Sequence, residues 1–122
     1  MEESPWKKGG EYTERLASQL REKQVKAVAD MMVRVGQEAY DTAADDLFAV
    51  VDDETDYLPV IGNVISQLKQ ASQNEKAGDL LRALDQKTLE VLSNRKLPEA
   101  QRRLAQRFQH ERSSYRDFLS RS

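Results

Sequence analysis

A chain of 122 residues with net charge −2, 39% apolar and 33% charged residues is the size of one domain, and it is too apolar and too weakly charged overall for a disordered chain. The absence of cysteine excludes disulfides, zinc-thiolate sites and thiol catalysis. The single histidine, His110, rules out a two-histidine metal site and leaves a Ser/His/Asp triad without support.

Residues 1–10 are polar, contain Pro5 and end in Gly9 and Gly10, and they read as a flexible tail ahead of one helical domain at 11–122. The tail carries Trp6, the only tryptophan, which is a candidate anchor for a partner pocket because tryptophan is over-represented among binding hot spots. Residues 12–51 then contain no proline and one glycine, and they place Leu16, Leu20, Val28, Met32, Val35, Ala39, Ala43, Leu47 and Val51 at helical spacing. Steps of four residues advance about 40° round a helix each time, so the stripe winds. The half before Gly36 and the half after it face different directions, and Gly36 is the natural kink. Unbroken, this segment would form a rod of about 60 Å, twice the length of the helices that follow. Burying such a rod calls for a second chain, so a homodimer is expected.

Residues 52–56 are acidic and read as a turn, with Thr55 or Asp56 as a cap for the next helix and Pro59 in its first turn. Residues 58–71 form the most apolar segment and should lie at the centre of the bundle. A capping box at residues 72–75 opens a third helix to about Asn94, whose inner face is Ala77, Leu80, Leu81, Leu84, Thr88, Val91 and Leu92. One continuous helix bent at Gly78 is the alternative for 58–94. Asn94 and Pro98 punctuate the chain before the last helix, which buries Ala100, Leu104, Phe108, Tyr115, Phe118 and Leu119. The sequence therefore predicts an all-α fold, a four-helix bundle with a long first helix kinked near Gly36, assembled as a dimer.

Charge is unevenly spread. Residues 35–68 hold eight acids and no lysine or arginine, whereas residues 95–122 hold eight bases against three acids. Three readings follow: the two regions pair within the fold or across a dimer, the basic helix binds nucleic acid, or the patches meet an oppositely charged protein. The arginines of the last helix flank its apolar stripe on both sides, as long cations lining the rim of a buried face do. A nucleic-acid helix gathers its bases outward with exposed aromatics between them, and here Phe108, Tyr115 and Phe118 belong to the core stripe.

Other chemistries are missing. Lys8-Gly9-Gly10 lacks the spacing of a phosphate loop. Asp52, Glu54 and Asp56 begin like a calcium loop, but Tyr57 stands where glycine is required and Asn63 where a bidentate glutamate is. Glu38, Asp41 and Asp45 share a helix face with no second carboxylate cluster to complete a metal pair. No run approaches the ~18 residues of a membrane span and no signal peptide is evident, so the expected location is the cytosol, or that of an infected host. The functional expectation is a non-enzymatic interaction or assembly module without cofactor or metal. It would bind itself and a protein partner through Trp6, Asp45, Asp46, Arg102, Arg103 and Arg107. The alternative is a nucleic-acid accessory protein that uses the basic C-terminal helix.

Overall fold

The computed structural model describes residues 21–121, in which all regular structure is helical. Five helices follow one another: α1 (Glu22–Gly36), α2 (Tyr40–Val50), α3 (Leu58–Gln70), α4 (Asn74–Ser93) and α5 (Glu99–Ser120). The expected single long helix is thus two, and the count among the described residues is five where the sequence predicts four. The expected tail at 1–10 lies outside the described residues.

The break sits next to Gly36 but does not depend on it. Gly36 is the last residue of α1, and its backbone is not in the left-handed region. The residue there is Glu38, with φ 59°. Around it the Glu38 amide donates to the Val35 carbonyl at 2.9 Å and the Ala39 amide to the Arg34 carbonyl at 2.8 Å, the paired bonds of a Schellman motif. The chain then doubles back: Lys23 at the start of α1 reaches Asp52 just past the end of α2. Folding the segment over α3 and α4 covers Val28, Met31, Val35, Ala43 and Leu47 with this chain's own side chains. The rod that needed a second chain to hide it does not form, and the argument for a dimer from length lapses.

The boundary expected at 72–75 is where α3 ends and α4 begins, by a different device from the one expected. Gln73, not Ser72, is the N-cap of α4, and it makes no side-chain cap bond. Ser72 instead closes α3 in a second Schellman motif, with φ 60°, its amide on the Lys69 carbonyl at 3.0 Å and the Gln73 amide on the Leu68 carbonyl at 2.8 Å. The continuous, bent alternative is excluded, and Gly78 lies inside α4. Pro59 occupies the first turn of α3 as expected, and Asp56 Oδ1 accepts the Leu58 amide at 3.0 Å.

α3 is the centre. It packs against α1, α4 and α5, while α4 also covers α2 and runs along α5. Val60, Ile61, Val64 and Ile65 are fully buried, and so are Asn63 and Ser66 on what the sequence presents as the polar side of the same helix. A helix with neighbours round its circumference buries whatever it carries. Asn63 Oδ1 accepts from Gln67 Nε2 at 2.6 Å, whereas Asn63 Nδ2, Ser66 Oγ and Thr88 Oγ1 have no hydrogen-bond partner. Gln24 is another buried polar residue, on the same face of α1 as Ala27, Val28 and Met31: its Nε2 donates to the Asp56 carbonyl at 2.5 Å and its Oε1 accepts the Arg21 amide at 2.7 Å. It ties the start of α1 to the turn before α3.

Candidate protein-interaction site

The two charged regions meet inside the fold. Arg107 Nη1 lies 2.7 Å from Asp56 and Arg103 Nη1 3.9 Å from Asp53, which joins the basic helix α5 to the acidic turn before α3. Along α2 and its flanks, Asp45 pairs with Lys87 at 3.0 Å, Asp46 with Arg34 at 3.2 Å, Glu38 with Lys76 at 3.5 Å and Asp52 with Lys23 at 3.0 Å. On the other side of α5, Arg112 and Arg116 converge on Asp85 of α4 at 3.6 and 2.9 Å.

The exposed pairs contribute about 0–1 kcal/mol each and set register more than stability. The Lys23–Asp52 pair has the clearest electrostatic signature. Its hydrogen bond lowers the Asp52 carboxyl below the usual range, helped by the Thr55 and Glu54 amides on Asp52 Oδ1, and it raises the Lys23 amine.

This pairing relocates the residues that the sequence singles out. Asp45, Asp46, Arg103 and Arg107 are each engaged by an opposite charge of the same chain: Asp45 by Lys87 of α4, Asp46 by Arg34 of α1, and Arg103 and Arg107 by the turn before α3. Arg102 is half-buried with an unpartnered Nε. Trp6 lies outside the described residues. Of the eight bases in residues 95–122, only Arg95, Lys96, Arg102 and Arg121 enter no ion pair among the described residues.

One apolar concavity was not legible as a site. A groove of about 400 Å³ runs between α1 and the C-terminal half of α2. Its floor is Ala27, Met31, Leu47 and Tyr57, with Ala49 and Val50 on one wall and Lys23, Lys26, Asp30, Asp46 and Asp52 at the rim. The floor residues are buried, while Val50 stands 52% exposed at the mouth. One signal was present in the sequence: the run Leu47-Phe48-Ala49-Val50-Val51 is a wider apolar arc than one helix needs to cover a core. Of the described residues singled out by the sequence, only Asp46 lines this groove.

Its rim charges are matched within the chain, Lys23 to Asp52, Lys26 to Asp30 and Asp46 to Arg34, so what the groove presents to a ligand is apolar surface. No group of three or more histidine or acidic side chains placed to hold a metal ion occurs among the described residues. None of the described helices is long and apolar enough to cross a membrane. The chain matches no family model, no curated protein and no solved structure.

Proposed function

We propose that the protein is a non-enzymatic interaction module that receives a partner's amphipathic helix in the groove between α1 and α2. The observation that carries this reading is the apolar groove itself, with Val50 half-exposed at its mouth and its rim charges already paired. Helix-in-groove recognition uses apolar anchors at i, i+3 or i+4 and i+7, and a floor of Ala27, Met31 and Leu47 accepts such side chains; methionine adapts to their shape.

A displayed random-peptide library selected on the folded chain tests this. Enriched peptides should carry that anchor spacing, and Val50→Glu should weaken their binding at least tenfold, since a carboxylate at the mouth would be desolvated by the bound helix. Selection of no peptide, or of binders indifferent to Val50→Glu, refutes the groove as the site.

The alternative, nucleic-acid binding by α5, has less support. Arg103, Arg107, Arg112 and Arg116 are already neutralised by Asp53, Asp56 and Asp85, and phosphate binding would have to displace those carboxylates. A mobility-shift titration at low salt with duplex and single-stranded probes discriminates between the two readings. A shift that disappears with Arg103→Ala/Arg107→Ala would favour the alternative.

A further inference from the structure

Among the described residues Val25, Val33, Val50 and Leu89 are the large apolar side chains that stand exposed, and two of them share a face of α1 that no part of the groove uses. On a helical wheel Val25, Ala29, Met32, Val33 and Gly36 fall within an arc of about 100° that carries no charge from Val25 onward. It lies away from the buried residues Ala27, Met31 and Val35. Val25 is 46% and Val33 57% exposed, Ala29 is exposed, and Met32 is half-buried.

The central row of this face reads the same in both directions. Val25 stands four residues before Ala29 and Val33 four residues after it. A second copy laid antiparallel across this helix, with the two-fold axis at Ala29, sets each Val25 on the other copy's Val33. It also sets alanine against alanine, where the small side chain lets the two backbones approach.

The flank matches as well. Lys26 and Asp30 pair within α1 at 3.3 Å. In the antiparallel arrangement the second copy's Asp30 falls about 3 Å along the axis from Lys26, so the charges can exchange partners across the two-fold without either being stranded. We propose that this face of α1 joins two copies of the chain. An isologous contact needs such self-complementarity, which an unrelated partner would not. One helix face buries less than the roughly 800 Å² per partner of a stable complex, so the dimer forms at high concentration and dissociates on dilution.

The absence of native cysteine makes the test direct, because any cysteine introduced is the only thiol. Residues on a two-fold axis bring their Cβ atoms within disulfide range. Under mild oxidation Ala29→Cys should form a disulfide dimer at least tenfold faster than Leu89→Cys, an exposed control on α4. Adding Val33→Glu, an exposed substitution that leaves the core intact, should return Ala29→Cys to the control rate. The weight-average mass of the unmodified chain in sedimentation should rise with concentration. Ala29→Cys crosslinking no faster than the control, or crosslinking unaffected by Val33→Glu, overturns the proposal. A mass that rises while Ala29→Cys stays at the control rate overturns it too, by placing the second copy elsewhere. The groove lies on another side of α1, so failure here leaves the peptide-binding reading standing.

Discussion

Replacing Gly36 with alanine should stabilise the protein, although the sequence presents this glycine as the residue that breaks the first helix. In the structure Gly36 ends α1 outside the left-handed region, and a Cβ added there meets nothing within 4 Å. Alanine therefore brings no clash. It gains most of the roughly 1 kcal/mol difference in helix propensity, less a fraction for its terminal position, and it restricts the unfolded chain. The expected gain is about 0.5–1 kcal/mol, a rise in Tm of about 2–4 °C for a domain of this size.

Urea denaturation is the assay, with Cm expected to rise at constant m. The companion variant Glu38→Val tests the same turn from the other side. A β-branched residue at φ 59° is strained and should cost about 1–2 kcal/mol. If Gly36→Ala instead destabilises the fold while Glu38→Val is neutral, the turn hinges on the glycine and the assignment of the left-handed residue is wrong. A Gly36→Ala variant whose m rises and whose Cm depends on concentration more steeply than that of the unmodified chain would mean that the substitution restores the continuous rod.

Thr88 is fully buried with an unpartnered Oγ1, so the near-isosteric Thr88→Val removes a desolvated hydroxyl and should raise stability by about 1 kcal/mol in the same titration. Asp85→Ala leaves Arg112 and Arg116 facing each other across a vacated site; thermal melts should show a loss of about 1 kcal/mol that shrinks when salt is added. The Asp52 carboxyl is lowered in the folded state, so the unfolded chain takes up its proton first as pH falls. Its stabilisation is complete above the ordinary carboxylate range and is lost on acidification through the lowered value. Asp52→Asn should accordingly flatten the acid limb of a stability-against-pH curve and, because Asp52 is also what raises the Lys23 amine, flatten the limb above the ordinary lysine range, leaving the slope around neutral pH unchanged.

Much of the fold follows from signals that act over a few residues. Helical spacing of apolar side chains identifies the inner faces of α3, α4 and α5: Leu80, Leu81, Leu84, Leu104 and Phe108 are buried as their positions require. Pro59, the 72–75 boundary and the Asn94–Pro98 link stand where the chain changes element, because proline and non-helical caps act on their own backbone irrespective of what surrounds them. The opposed charge of residues 35–68 and 95–122 was equally plain, and so was internal pairing as one outcome.

What the sequence could not decide is which surfaces meet. The winding stripe of residues 12–51 is compatible with a rod wrapped by a second chain or with a hairpin, and the choice depends on whether α3 and α4 offer both halves a place to pack. Burial of Asn63 and Ser66 contradicts their local pattern for the same reason: exposure is a property of the neighbours, not of the residue. The groove beside Val50 and the face around Ala29 are remainders of that packing. Periodicity marks a side chain as apolar, but only the arrangement of all five helices determines whether anything is left to cover it.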